Sequence, residues 1–393
     1  MKIHYFNPGH ETAVHNGSPY YTVPANVAIM QRELAYLPAW YGNKEDLVLV
    51  AEPSSYFSFL NKKIRDLPQA ITESELTGQQ NADVSLWGIS PQAIHYFDML
   101  NKEYQAGLNI PEWHNEYKIL NSRLNAKECL SVIIRQISQI QDSITPRFYT
   151  ELKEIDNAVR LSSEQLLAKA PYSSSGRGLL WLPTDGLTRT ENQILHGILK
   201  KQGSVSVERV VDKETDFAME FLSDGEGNIQ FAGYSLFATN SKGAYESNYI
   251  ASQQNIEKEL IQYIPEDLLD KVKQVLASAL KERYARLYKG CIGVDMMIYT
   301  DEGEYKLHPC VEINMRFNMG YLTLRLFENY ITPTSHGRFY IDFNPEEGNI
   351  YGQHRSMQQQ YPVEFQNGKV SKGYLSLCPV KEHNKYRAYI LID

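Results

Sequence analysis

Glu312, Asn314 and Arg316 stand at alternate positions of the stretch VEINMR, Val311 to Arg316. In an extended strand alternate residues share a face, so these three project one way and Val311, Ile313 and Met315 the other. A carboxylate, an amide oxygen and a guanidinium on one face suit a site for an anion and a metal. Upstream, Ile292, Val294, Met296 and Ile298 take one face of IGVDMMI and turn Asp295 to the opposite one. The turn DEGE between the two stretches makes them a hairpin that brings Asp295 near Glu312. Two carboxylates and an amide oxygen are hard ligands, of the kind magnesium uses when it bridges nucleotide phosphates. The plain alternative is a polar hairpin face turned to water.

A second candidate is AKAPYSSSGRG, Ala168 to Gly178, set between the apolar runs QLLA and LLWL. Lys169 ends an apolar strand, where its ammonium can act as a point charge on phosphate oxygens. Ser173 to Gly178, with Ser174, Ser175 and Gly176 at the centre, can offer successive backbone N–H groups, and the glycines let the chain approach a ligand closely. The pattern is neither GxxxxGK[ST] nor GxGxxG, and it runs strand–loop–strand. An ordinary hairpin tip is the competing reading. A third candidate is VSVERVV, Val205 to Val211, followed by Asp216. A strand that ends in Glu208 and becomes a linker at Val210 can read a base through backbone groups, and Asp216 can take ribose hydroxyls. A pair of surface acids at a turn is the alternative. The loops Asn7–Glu11 and Thr239–Asn248 are polar and turn-prone; His10, Glu11 or Lys242 can hold a substrate group there, or the loops are plain surface.

KIHYF, DLVLVA and DVSLWG are predicted strands, alternating with predicted helices over Pro24–Tyr36, Tyr56–Ile64 and Pro91–Glu103. That alternation predicts a small parallel α/β domain. A helical stretch follows from Tyr117 to Ile140. From about Thr145 short strands come in pairs, with helices over Glu191–Gln202 and Pro265–Tyr284. The tail from Thr332 holds the strand-like RFYIDF, KGYLSL and YRAYILI.

The 393 residues, 42% hydrophobic and 22% charged, have room for two or three domains. A net charge of −8 argues against a nucleic-acid or acidic-membrane partner. No window has the length of a membrane span, and MKIHYFNPGHE lacks a signal-peptide core, so a cytoplasmic protein is expected. Cys129, Cys291, Cys310 and Cys378 form no CxxC or metal-finger spacing and read as reduced thiols.

Taken in order, the basic strand end, the Ser/Gly loop, the acidic linker and the D…ExNxR pair of strands resemble the ATP-grasp superfamily of ligases. AKAPYSSSGRG is similar to its strand–flap–strand, VERVV to its hinge acid, and VDMMIY…VEINMR to its metal-and-phosphate strands, closest to the carbamoyl-phosphate synthetase and biotin carboxylase type. The resemblance spans roughly Tyr117 to Tyr321. It implies an α/β (α+β) fold: a pre-ATP-grasp α/β domain over 1–116, a two-lobed ATP-grasp domain over 117–330 (small lobe about 145–207, large lobe about 208–330), and a β-rich extension over 331–393 packed on it. It implies Arg123 and Lys169 as phosphate contacts, Glu208, Val210 and Asp216 around the base and ribose, and Ser174, Ser175 and Gly176 in the flap. Asp295, Glu312 and Asn314 would be magnesium ligands, and Arg316 the cation facing the reacting phosphoryl group. Gly293 departs from the dipeptide-ligase branch, which has an arginine there. The implied reaction uses ATP and Mg2+ to activate a carboxylate as an acyl phosphate, which an amine or other nucleophile then opens. An ATP-dependent small-molecule kinase and a non-catalytic nucleotide-binding module are the alternatives. Small-molecule substrates and a homodimer are the expected partners.

Overall fold

The computed structural model describes every residue except Ser174, Ser175, Arg177 and Lys242. The chain forms two compact units, each assembled from separate stretches of sequence. One comprises Met1–His114, Glu246–Ile256 and Arg316–Asp393; the other comprises Asn115–Tyr245 and Glu257–Met315.

The first unit begins with β1 (Lys2–Tyr5), α1 (His10–Asn16), α2 (Ala25–Glu33), β2 (Leu47–Leu49), α3 (Ser55–Lys63), β3 (Gln69–Ile71), β4 (Asp83–Leu86) and α4 (Pro91–Glu103). The four strands form a parallel sheet in the order β3-β2-β1-β4, as the alternation of strand and helix requires. At α4, Ser90 accepts a hydrogen bond from the Ala93 amide at 3.2 Å and Pro91 fills the first turn, where a missing N–H costs nothing. The expected loop over Asn7–Glu11 is shorter than anticipated, since His10 already opens α1.

The second unit starts with α5 (Glu116–Leu120), α6 (Arg123–Gln136), β5 (Arg147–Tyr149), α7 (Leu152–Leu161), β6 (Leu166–Lys169), β7 (Leu179–Trp181), α8 (Arg189–Gln202) and β8 (Val205–Arg209). Antiparallel pairing gives a small sheet in the order β5-β8-β6-β7. Ile155 and Val159 of α7 and Leu195 of α8 close over Ala168, Leu182, Val205 and Val207 to make its core. A capping box joins Thr188 to Glu191 at the start of α8, and Gly203, with φ of +81°, ends it. The chain continues through β9 (Asp212–Asp224) and β10 (Ile229–Thr239), then β11 (Tyr245–Ile250), α9 (Gln253–Leu260), α10 (Glu266–Tyr284), β12 (Lys289–Asp301) and β13 (Glu304–Asn314). Within this unit β13, β12, β9 and β10 lie side by side, all antiparallel. The amphipathic α10 buries Leu268, Leu269, Val272, Leu276 and Leu280.

The remaining elements, α11 (Met319–Tyr330), β14 (Gly337–Phe343), α12 (Asn349–Gln360), β15 (Glu364–Gln366), β16 (Lys369–Ser376) and β17 (Tyr386–Ile392), return to the first unit. There β11, β14, β17, β16 and β15 are neighbours in that order. The fully buried Trp40 ties the two ends of the chain together: its indole N–H donates to the Leu377 carbonyl at 2.8 Å, and its ring meets Tyr330 edge-on.

The core under the small sheet makes a direct test. Leu195 is fully buried there, and Leu195→Ala is expected to destabilise by about 3 kcal/mol, from lost transfer energy plus the cavity left behind. A urea titration followed by far-ultraviolet circular dichroism should show the midpoint shift; a change below about 1 kcal/mol would mean that the core is not closed as described.

Candidate functional site

The register of three strands in the second unit builds the site. Across β9, β12 and β13, Ala218 faces Asp295 and Asp295 faces Glu312. One row further, Glu220 faces Gly293 and Gly293 faces Asn314; one row back, Asp216 faces Met297 and Met297 faces His308. Directly opposed residues of an antiparallel pair point to the same side, and so do residues two apart. One face of the sheet therefore carries Asp216, Glu220, Asp295, Glu312, Asn314 and His308 together. The opposite face is apolar: Ile292, Val294, Met296 and Ile298 are all buried, as their alternation in the sequence predicts.

Arg123, at the first position of α6 and itself buried, reaches this face. Its Nη2 donates to Glu312 at 2.8 Å and to the Ser173 hydroxyl at 3.4 Å, and its Nε donates to the Ala170 carbonyl at 3.2 Å. One guanidinium thus joins β13 to the segment that follows β6. Two opposed carboxylates repel each other, and Arg123 offsets the charge of Glu312. Among the described residues no three His, Cys, Asp or Glu side chains converge as a ready-made metal cage. Two carboxylates and one amide suit magnesium, which keeps waters and takes further oxygens from phosphates.

Lys169 ends β6 and forms an ion pair with Glu208 of β8, with both side chains largely buried. The pairing is diagonal, because Glu208 lies opposite Leu167, two residues before Lys169. Next to it, Arg209 clamps the turn into β9. It donates to Asp301 at 3.2 Å, Gln141 at 3.2 Å and Glu164 at 3.3 Å, and stacks over Tyr299. Val210 gives its amide hydrogen to the Gln165 carbonyl at 2.8 Å and is exposed. Asp216 accepts from Lys213 at 2.6 Å and from the Thr239 hydroxyl at 2.7 Å.

The Ala170–Gly178 segment closes at its base, where the Ala170 amide donates to the Gly178 carbonyl at 3.0 Å. Gly176 has φ of +72°, and a Cβ there would lie 2.6 Å from the Gly243 carbonyl oxygen. Only glycine permits that approach to the second loop. Ser174 and Ser175, expected at the phosphates, and Lys242, expected near an acceptor, lie outside the described residues.

Arg316 departs from the alternation expected of it. β13 ends at Asn314, so Arg316 stands beyond the strand, and it belongs to the first unit. There its Nε donates to the buried Glu11 carboxylate and its Nη1 to the Phe317 carbonyl at 3.2 Å. Burial alone would raise the Glu11 carboxyl, but Arg316 overcomes this and holds it below the usual range. His10 beside it is fully buried, which lowers its pKa to about 4 and keeps it neutral. Its Nε2 meets the Ile89 carbonyl at 3.2 Å. Asn7 exchanges two hydrogen bonds with Gly88, whose missing side chain leaves room for the His10 ring. These groups sit at the carboxyl ends of β1 and β4, where open α/β sheets place their ligands.

Sequence reasoning did not single out Arg209, Glu220, His308 or the Glu11–Arg316 pair. Arg209 adjoins Glu208 and reads as a surface residue until Asp301 is folded against it. Glu220 is one polar residue in the apolar run DFAMEFL, and that isolation was its only signal.

No protein-family model matches the sequence, and no curated protein matches it. Solved structures do resemble it. Biotin carboxylase from Campylobacter jejuni, in complex with a β,γ-ATP compound, superposes with a TM-score of 0.55 at 10% identity, over 100% of this chain and 87% of that one. The biotin carboxylase domain dimer of Hydrogenobacter thermophilus 2-oxoglutarate carboxylase, with MgADP, ADP and bicarbonate, gives 0.52 at 11% identity, over 100% and 86%. The chain has the ATP-grasp fold. An N5-carboxyaminoimidazole synthetase from Staphylococcus aureus, complexed with ADP, gives 0.47 at 11% identity, over 100% and 93%. At such identities the likeness speaks for the ATP-grasp fold alone, and the chemistry has to be argued from the side chains.

His10 gives a pH test. Its unfolded pKa is 6.5 and its folded pKa about 4, so between those values the unfolded chain binds the extra proton. Its contribution to stability is complete above about 6.5 and declines as pH falls toward about 4. The melting temperature of the wild type should fall through that window, and His10→Asn should flatten the fall. Identical pH profiles for the two proteins would rule out a buried neutral His10.

Proposed function

We propose that this protein is an ATP-dependent ligase that activates a carboxylate as an acyl phosphate for attack by an amine or another nucleophile. The observation that carries the reading is the direct opposition of Asp295 and Glu312, with Asn314 two residues on and Arg123 on Glu312. Phosphoryl transfer asks a protein mainly for positioning and charge neutralisation, and that is what these groups offer. Lys169 and Arg123 supply fixed positive charge for phosphate oxygens. Glu208, the backbone at Val210, and Asp216 line the stretch proposed to take base and ribose. Asp295, Glu312 and Asn314 would hold magnesium, which when bound would supply charge neutralisation for the phosphates. The Ala170–Gly178 segment would exclude water, which protects an acyl phosphate from hydrolysis. Arg316 is proposed to face the reacting phosphoryl group. The 2-oxoglutarate carboxylase domain, with bicarbonate in its complex, supports a small oxyanion of the carboxylate kind as the activated partner.

A homodimer is part of the same proposal, supported by the dimeric Hydrogenobacter domain, and light scattering of the purified protein tests it. So is a cytoplasmic location, supported by four free, buried cysteines. No helix among the described residues is long and apolar enough to cross a membrane.

Two measurements bear on the ligase. Titration calorimetry should show ATP binding that weakens sharply when magnesium is chelated; binding indifferent to magnesium would count against the metal site. Glu312→Gln keeps the shape and removes one charge, so ADP formation with a pooled set of carboxylates and amines should fall by roughly two orders of magnitude with the fold intact. Mass spectrometry of the wild-type product then separates ligase from kinase. A phosphorylated end product in place of an amide would overturn the ligase reading, and full activity in Glu312→Gln would make Glu312 a surface acid.

A further inference from the structure

The loop that leaves β2 carries Glu52, Pro53 and Ser54 into α3. Together with the end of α2 and the segment before β17, it lines a cavity of about 80 Å3. The whole lining belongs to the first unit. Pockets for whole ligands run to roughly 300 Å3 or more, so this one suits a single small group. It opens at the carboxyl end of a parallel strand, where α/β sheets bind ligands, and at the first turn of a helix. Ser54, at the N-cap of α3, makes no capping bond, so the first amides of the helix have no side-chain acceptor.

Three basic side chains meet there: Arg32 of α2, and Lys381 and His383 of the segment before β17. Lys381 donates to the Glu52 carboxylate. That bond holds Glu52 below the usual carboxylate range, and His383 and Arg32 act in the same sense. One exposed carboxylate thus already sits in the positive field. The wall itself is held in place from beneath. Buried Glu33 accepts the amide hydrogens of Lys385 at 2.9 Å and Tyr386 at 2.8 Å, and its other oxygen stands 3.6 Å from Arg32. Asn384, only 4% exposed, accepts the Lys381 amide hydrogen through Oδ1 at 3.2 Å. Its Nδ2 has no hydrogen-bond partner among the described residues, and the side chain lines the cavity. A donor in a side chain so well buried calls for an acceptor.

The groups that remain are a guanidinium, an ammonium, an imidazole, an amide N–H and the helix amides, and Glu52 competes for them. They come from three separate segments of chain. A tetrahedral oxyanion, whose oxygens accept several bonds in different directions, fits such a set better than a planar carboxylate does. We propose that this cavity binds a phosphate group, as the free ion or as the end of a phosphate monoester, with Lys381, Arg32 and Asn384 as contacts and Glu52 as the carboxylate it displaces. None of these residues belongs to the nucleotide site proposed above, so the inference stands or falls separately from that reading.

The test titrates inorganic phosphate, methyl phosphate and acetate calorimetrically into the nucleotide-free wild type, Lys381→Gln, Glu52→Gln and Lys44→Gln. The side chains of Lys381, Glu52 and Lys44 are 49%, 70% and 66% exposed, so all three variants should fold, and thermal melting without phosphate checks this. Lys381→Gln should raise the Kd for phosphate about tenfold, the scale of one charge-assisted hydrogen bond. Glu52→Gln removes the competing carboxylate and should lower that Kd severalfold. Lys44→Gln deletes the same charge elsewhere on the unit and should bind as the wild type does. Methyl phosphate binding as well as phosphate supports an ester as the ligand; phosphate binding alone supports the free ion. A wild type that binds neither, or a Lys381→Gln that binds both as the wild type does, would overturn the proposal. Equal weakening in Lys44→Gln would reduce the effect to general surface charge, and acetate binding as tightly as phosphate would overturn the choice of ligand.

Discussion

Asp295 and Glu312 face each other across adjacent strands, and much of the second unit is arranged around the repulsion between them. Two like charges at that spacing are tolerated only if something positive stands near. Arg123 is that group for Glu312, and its placement sets further requirements. It must begin a helix in order to reach β13, and it also holds the Ala170 carbonyl and the Ser173 hydroxyl. The same guanidinium therefore couples the carboxylate pair to the loop that leaves β6. Lys169 at the end of β6 is in turn fixed by Glu208, and Arg209 holds the following turn against Asp301. Removing one member of a buried pair leaves an uncompensated charge, which is costlier than never having had the pair. The face is in this sense a single electrostatic unit rather than a collection of separate contacts.

What could be read from the chain follows from which signals are local. Strand alternation in IGVDMMI and VEINMR gave the buried and polar faces of β12 and β13, and the turn between them gave their pairing. Ser90 with Pro91 marked the start of α4. The elements that escaped notice lack a local signature. α11, with the sequence MGYLTLRLFENY, is rich in aromatic residues that suit strands as well as helices, and α12, NIYGQHRSMQQQ, is too polar for its period to show. Both take their form from the sheet beside them in the first unit. The amphipathic α7 is absent from the predicted helices although Ile155 and Val159 are spaced for one face.

The same division holds for the site. The strand positions of Asp295, Glu312, Asn314, Lys169 and Glu208 could be read because these residues end or alternate along recognisable strands. Arg316, expected on the same strand face, falls beyond the strand, since nothing in VEINMR tells where the strand stops. Glu11 could be named as a polar loop residue, but its pairing with Arg316, 305 residues along the chain, has no local signal.

Between the rows Asp295–Glu312 and Met297–His308, β13 advances four residues while β12 advances two, and Pro309 falls in that interval. It has a consequence for the molecule beyond the site. β13 is the last strand on its side of the sheet, and an uncovered strand edge invites another chain to add on. A residue without an N–H, within a stretch where the ladder loses register, makes a poor template for such growth. The same feature thus blunts the outer margin of a long antiparallel sheet. It lowers the chance that a partly folded copy of the chain extends that sheet into an aggregate.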